Sequence, residues 1–198
     1  VFKLPAKWWS RKYEYAWAAK FTGRDKVVLD AGCGLFHPLK YYLLDTCQEV
    51  YACDIDQRIL KKEKVFEKIE KFYGSLAVKK FPVRFFEEIN YSQVSFTNLP
   101  YQGNLFDRIF CISVLEHLNT EYELEQSLRE FERVLKNDGL IILTFDYPGV
   151  ILKDLDTMIR NNKLYYAGKL SFDITKKSIF SKKHQLYCFR MVLKKTKQ

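Results

Sequence analysis

At 198 residues, with 47% of them hydrophobic and 16 Phe beside 13 Tyr, the chain has enough apolar bulk for one domain with one substantial core and hardly room for two. Charges interrupt every hydrophobic stretch before it reaches the roughly 20 apolar residues of a membrane helix, so no span is expected, and the opening VFKLPAKWWSRKYEY lacks the apolar run of a signal peptide. The net charge of +9 resides in residues 163–198, where ten Lys/Arg face Asp173 alone, while residues 1–162 are balanced.

The first strand is expected at Lys26–Asp30 (KVVLD), followed by a Gly-containing turn over Ala31–His37 and a helix from Pro38 to about Asp45. A second strand, Glu49–Cys53, ends at Asp54. Asp56 reads as the N-cap of a helix over Gln57–Tyr73, with Ile59, Phe66, Ile69 and Tyr73 on one face. Gly74–Glu88 reads as an irregular excursion, Ile89–Val94 as a weak strand, Leu99–Asn104 as a loop and Arg108–Ser113 as a good strand. Thr120 with Glu123 forms a capping box for a helix carrying Leu124, Leu128, Phe131 and Leu135, which the turn Asn137-Asp138-Gly139 should end. Leu140–Phe145 reads as a buried strand. A helix over about Val150–Asn161 and strand-like runs at Leu170–Ile174 and Gln185–Leu193 follow. This alternation predicts an open, mostly parallel α/β sheet.

The five cysteines, Cys33, Cys47, Cys53, Cys111 and Cys188, are odd in number and contain no CxxC pair, which argues against a disulfide framework or a zinc site. A reducing cytoplasm is the expected setting. His37, His117 and His184 are scattered and form no metal-ligand motif, so no metal is expected.

The chemistry concentrates in VVLDAGCGLFHP, Val27–Pro38. Gly32 and Gly34 allow close backbone approach to a ligand, and free N–H groups at the following helix start favour a carboxylate or phosphate. Asp54, closing the second strand, can accept two hydrogen bonds from a ribose diol. Together these features point to an adenosine-containing ligand at the C-terminal edge of a parallel sheet. Either alone is also compatible with a tight turn or an exposed turn acid.

VLDAGCG, YACDID, LPYQGNLFDRIFCISVLEHL and FERVLKNDGLIILTF, in that order, resemble the successive signatures of class I S-adenosylmethionine-dependent methyltransferases, most closely the group called methyltransferase domain 11. The resemblance covers about residues 26–147. It implies a Rossmann-like doubly wound sheet, mostly parallel with an antiparallel last strand, in a single domain. Within it residues 1–25 would form an N-terminal helical lid, 26–147 the cofactor-binding core and 148–198 a C-terminal helix with closing strands. It also implies S-adenosylmethionine as cofactor, held by Asp30, Ala31, Gly32, Cys33 and Gly34 at the methionine part and by Asp54 at the ribose. Ile55 would pack on adenine, and Ser113 and Val114 would line the cofactor beneath the sulfonium. The family usually carries an acid for the adenine amine where Ser95 stands here; Ser95 can still hydrogen-bond, and Phe96 can pack on adenine or fill the core. Asp107 is read as a structural turn acid.

Direct in-line methyl transfer requires positioning and desolvation rather than a nucleophilic triad. His117, Tyr13 and Tyr101 are the candidates for groups facing the acceptor, although a structural or cofactor-edge role is the favoured reading of His117. The aromatic run Trp8–Trp17 can close over the site or pack as an amphipathic helix. A small-molecule acceptor is the first expectation, and nucleic acid, reached through basic residues 163–198, the second. A methyltransferase-like binding module without activity is the rival reading. A nicotinamide-dependent reductase fits less well, because His37 stands where that fingerprint requires a third glycine.

Overall fold

The computed structural model describes residues 4–5, 8–168, 170 and 179–196. Within it α1 spans Arg11–Ala18 and is extended by a 3₁₀ turn over Ala19–Phe21. The elements that follow are β1 (Val27–Ala31), α2 (Leu39–Thr46), β2 (Glu49–Asp54), α3 (Lys62–Tyr73), α4 (Ser75–Lys79), α5 (Arg84–Glu87), β3 (Asn90–Gln93) and β4 (Phe106–Ile112). The chain continues as α6 (Glu121–Val134), β5 (Leu135–Tyr147), α7 (Leu152–Asn161), β6 (Leu164–Tyr166), β7 (Ile179–Ser181) and β8 (Leu186–Lys195).

The strands form one sheet in the order β3-β2-β1-β4-β5-β8-β6, with β7 also paired to β8. Pairings from β3 through β5 are parallel, and every pairing of β8 is antiparallel. From β1 the chain steps outward to β2 and β3, then returns to the other side of β1 as β4. The loops after β1 and β4 therefore diverge, leaving a crevice at their carboxyl ends, the usual ligand position in an open α/β sheet.

Burial on both faces explains the near-continuous apolar strands. One face carries α6 and α7, with Leu124, Leu128, Phe131, Leu155 and Ile159 packed on Ile109, Cys111, Ile141 and Leu143. The other carries α2, α3 and the two short helices, whose Leu39, Leu43, Val65, Ile69, Phe81 and Phe85 pack around Val28, Val50 and Ala52. The five cysteines are free thiols. Among the described residues no helix is long and apolar enough to cross a membrane.

The main elements lie within a residue or two of their expected positions, and the differences have local causes. The helix expected over Gln57–Tyr73 is two pieces. Asp56 accepts from the Arg58 N–H at 3.0 Å and caps a 3₁₀ turn over Gln57–Leu60, then Lys61 is extended and α3 begins. The Gly74–Glu88 excursion contains α4 and α5, short enough to lack helical periodicity, and α5 is pinned by buried Phe85. The turn Asn137-Asp138-Gly139 does not separate α6 from β5. Leu135 already pairs with Phe106, and the turn residues form an irregularity inside one long strand. A Cβ on Gly139 would lie 2.6 Å from Leu135 Cδ1, so the irregularity requires glycine. The three-residue strands β6 and β7 carry no pattern of their own and exist by pairing with β8. The expected Leu170–Ile174 run falls almost entirely outside the described residues.

Candidate active site

The loop after β1 is built around its two glycines. Gly32 (φ +74°) and Gly34 (φ +58°) occupy left-handed backbone, and a Cβ would fall 2.6 Å from Val114 Cγ1 at the first and 2.9 Å from His37 Cδ2 at the second. Both conformation and space therefore demand glycine. The Gly32 and Cys33 N–H groups donate to the Cys53 carbonyl at 2.9 and 3.0 Å, tying the loop to the end of β2. Asp54 continues the tie: one carboxylate oxygen accepts from the Gly34 N–H at 2.8 Å and the other from the Asp56 N–H at 3.0 Å. An ionised carboxylate has about four acceptor sites, so two remain for a ligand diol.

Beneath the loop lies a lysine that the sequence reading missed. Lys40, 1% exposed, turns its ammonium inward and donates to the carbonyls of Cys33 (3.0 Å), Gly34 (2.7 Å) and His37 (3.0 Å). Its placement between buried Leu39 and Tyr41 was the available signal, since a helix start flanked by apolar residues does not ordinarily bury a lysine without partners. Asp30 is 3% exposed at the end of β1, with Oδ2 lacking a hydrogen-bond partner. Burial pushes its carboxyl up to about 7, with Lys40 opposing and Asp54 adding to the rise.

A second buried network joins α1 to the ends of β4 and β5. Glu14 is fully buried and accepts from Ser10 Oγ (3.0 Å), Arg11 Nη1 (2.8 Å), Ser113 Oγ (2.6 Å) and Thr144 Oγ1 (2.6 Å). Burial alone would raise its pKa, but Arg11 and the hydroxyls of Ser113 and Thr144 outweigh that and hold the carboxyl below its ordinary value. Arg11 also reaches the Ser113 carbonyl, at 3.3 Å. Trp8 packs on His37 with centroids 4.2 Å apart, and Tyr15 Oη lies 3.3 Å from His37 Nδ1. Burial, with the charges of Lys40 and Arg11, depresses His37 to about 3, leaving it neutral.

These loops enclose a cavity of about 350 Å³ at the switch point. Of the residues anticipated from sequence, Gly32, Gly34, Asp54, Ile55, Ser95, Phe96, Ser113, Val114 and His117 line it. Arg11, His37, Leu118, Asn119 and Glu123 complete the lining. Asp30, Ala31 and Cys33 do not reach it and are buried behind the cradle. Ile55 is 71% exposed, whereas Phe96 is 7% exposed and stacks on Phe131 in the core. Ser95 Oγ lies 2.7 Å from Thr97 Oγ1, so two hydroxyls stand together where the resembled family usually carries an acid.

Two expectations are corrected. Tyr13 lies outside the cavity, 45% exposed, because Arg11, Glu14 and Ala18 occupy the inward face of α1. Tyr101 also lies outside, packed edge-on against Tyr51 and Phe106. Asp107, as expected, is structural: its Oδ2 accepts from the Val27 N–H and from Lys136 Nζ. Sequence reasoning missed Arg11, Glu14 and Thr144 as well. The i, i+3 pair of Arg11 and Glu14 was visible, but its burial was not.

A glycine cradle tied to a strand-end acid beside a switch-point cavity is the arrangement by which Rossmann-like folds take a nucleoside-bearing ligand. Residues 29–143, more than half of the chain, match the model of the methyltransferase domain family, and the chain belongs to that family. S-adenosylmethionine is the cofactor of this class, and the residues present fit it: the positive-φ cradle has no room for side chains, and Asp54 has acceptor capacity to spare. The chain is similar to an uncharacterised protein of Methanocaldococcus jannaschii, 29% identical over 131 residues, spanning 66% of this chain and 45% of that protein. It is also similar to the tRNA (carboxymethyluridine(34)-5-O)-methyltransferase of Arabidopsis thaliana, 30% identical over 118 residues, spanning 60% of this chain and 23% of that protein. The chain thus spans less than half the length of these curated relatives. Among solved structures, a TehB-like SAM-dependent methyltransferase from Corynebacterium glutamicum superposes with a TM-score of 0.64 at 18% identity, covering 96% of each chain, a likeness of fold.

Proposed function

We propose that the whole chain acts as one unit, binding S-adenosylmethionine in this cavity and directing its methyl group in line to an acceptor. One observation carries the reading: Asp54 and the Gly32–Gly34 cradle are joined by the hydrogen bond from the Gly34 N–H, so ribose and methionine sites are set at a fixed separation. When bound, S-adenosylmethionine supplies a methyl group already activated on its sulfonium. The chain's own residues do the rest. Asp54 accepts from the ribose hydroxyls, Ile55 covers the adenine, Ser95 with Thr97 takes its polar edge, and Ser113 with Val114 forms the floor beneath the sulfonium. His117, which lines the cavity, would take a proton from an acceptor that must lose one. Residues 1–25 act as the lid, with α1 anchored through Glu14 and Trp8 packed on His37.

A small-molecule acceptor is the first reading: the site is concave, and Arg11 brings α1 into its lining. A second reading, an RNA acceptor, has its own support. Tyr187 pairs with Tyr147, so the β7–β8 turn bearing exposed Lys182, Lys183 and His184 sits at the sheet edge where the cavity opens. The tRNA-modifying relative points the same way. Lys176 and Lys177, part of the same basic segment, lie outside the described residues. A cytoplasmic setting accords with five unpaired thiols.

Titration calorimetry with S-adenosylmethionine tests the central claim. Binding that Asp54→Ala weakens by about 1–3 kcal/mol supports it, from loss of charged hydrogen bonds. No binding at millimolar cofactor would overturn it in favour of an inactive module. Replacing Lys182 and Lys183 with Gln decides between acceptors: RNA affinity falling along with its salt dependence supports the second reading, and unchanged affinity eliminates it.

A further inference from the structure

Across the end of the last strands runs a row of aromatic residues that belongs to neither core. Tyr187 of β8 pairs with Tyr147 of β5 on one side and with Phe180 of β7 on the other. Directly opposed residues of antiparallel strands point to the same side, so the three share one face of the sheet. Two residues further in on that face, Phe145 and Phe189 stack with centroids 5.2 Å apart and are buried in the core with α6 and α7. The outer row has left that cover. Tyr147 and Tyr187 are half-buried, Phe180 is 38% exposed, and the rings of Phe180 and Tyr187 lie 4.5 Å apart. Neighbouring strands stand about 4.8 Å apart, so the row is about 10 Å long.

The turn from β7 to β8 adds charge to this rim. Lys182, Lys183 and His184 are exposed on it. Its shape is fixed by Gln185, whose N–H donates to the Ser181 carbonyl at 2.8 Å and whose Nε2 donates to the Lys182 carbonyl at 2.6 Å. Residues 163–198 carry ten Lys/Arg against Asp173 alone, so the partner that complements this edge is an anion. The rings narrow the choice. A polyanion with open planar faces satisfies both halves of the surface, whereas a duplex keeps its base faces inside. A lipid surface fits less well: the apex of the hairpin is Lys-Lys-His-Gln and the rings stand behind it, so a bilayer could receive them only after the charges.

We propose that the Tyr147–Tyr187–Phe180 row and the Lys182-Lys183 turn form a binding surface for single-stranded RNA, with Phe180 and Tyr187 stacking on unpaired bases and the lysines holding phosphates. This deepens the second reading of the acceptor given above and rests on it. Thr144 of β5 pairs with Ile112 of β4, so the surface lies one strand away from Ser113 in the cavity lining. A strand held there is brought to the end of the sheet where the cavity opens.

The test compares an oligouridylate of about 12 nucleotides with an RNA duplex of equal length, by fluorescence anisotropy over a range of salt concentrations. Wild-type protein should prefer the single strand. In Phe180→Leu with Tyr187→Leu, which keeps the strands apolar, single-strand affinity should fall about 10- to 100-fold, the worth of two stacking contacts, with duplex affinity within about two-fold. Lys182→Gln with Lys183→Gln should instead lower both affinities and flatten the salt dependence by about one unit of slope. Because Tyr187 is half-buried, Phe180→Leu alone, at an exposed position, provides a second variant, with an expected fall of about 5- to 10-fold. Unchanged single-strand affinity in Phe180→Leu, or an equal fall for both RNAs, would overturn the assignment to the rings while leaving the RNA reading intact. Loss of binding to phosphatidylserine vesicles in that variant, with RNA binding kept, would overturn it in favour of a membrane surface. Wild-type protein that binds neither RNA at low salt would overturn both.

Discussion

Removing the Glu14 side chain is the perturbation whose consequences the structure specifies most fully. Glu14→Ala deletes a fully buried carboxylate and four hydrogen bonds at once, to Ser10, Arg11, Ser113 and Thr144. The damage is greater than the bonds lost, because Arg11, with a side chain 13% exposed, keeps its charge without a counter-ion. Breaking one partner of a buried pair costs about 3–5 kcal/mol, which is a large part of the 5–15 kcal/mol of a typical domain. Glu14→Gln keeps the shape and still accepts from one side, so it should cost less, on the order of 1–3 kcal/mol for charged hydrogen bonds turned neutral. The coupling is separable. Arg11→Met with Glu14→Ala should be less unstable than the sum of the single variants by at least ~1 kcal/mol, since the double variant strands no charge. Urea denaturation of the four proteins, fitted with a common m-value, measures all of this. A Glu14→Ala cost below ~1 kcal/mol, or single-variant costs that simply add, would refute the view that this network bolts α1 to the sheet.

Three further outcomes follow from the loop after β1. Asp30 keeps a proton in the folded state up to about 7, whereas the unfolded chain releases it near 4, so its contribution to stability is lost as pH rises through that window. Burial likewise raises Glu116 to about 7, so Asp30→Asn should shrink, not abolish, the difference between urea midpoints at pH 5 and pH 8; an unchanged difference would count against a buried, uncompensated Asp30. Gly32→Ala should destabilise by about 1–2 kcal/mol from left-handed backbone alone, with a further loss from the contact with Val114 that Val114→Ala relieves only in part. Lys40→Met should accelerate amide exchange across residues 32–37 and weaken cofactor binding, because three carbonyls lose their shared donor; amide protection equal to wild type would mean that the loop holds itself.

Much of the scaffold was legible because it is written in local pattern. Val27–Ala31 and Leu140–Phe145 are apolar runs of strand length. Thr120 and Glu123 form the capping box as read, with Glu123 Oε2 accepting from the Thr120 N–H at 3.1 Å. Asp54 and the two glycines were legible for the same reason, since strand end, turn chemistry and spacing are properties of neighbours in sequence. Periodicity failed where pairing overrode it. Leu135 closes the apolar stripe of α6 but pairs as the first residue of β5, and β6 and β7 are strands only because each pairs with β8.

The sequence by itself determined that a parallel α/β sheet would carry a glycine cradle and an acid at its edge, because each is encoded within a short stretch of chain. Only the tertiary structure decided what stands around them. Arg11, Lys40 and Thr144 carry no motif. Folding buries them and leaves each charge or hydroxyl to find its partner across 3 to 130 residues of sequence, a requirement set by the cost of an unpaired polar group away from water.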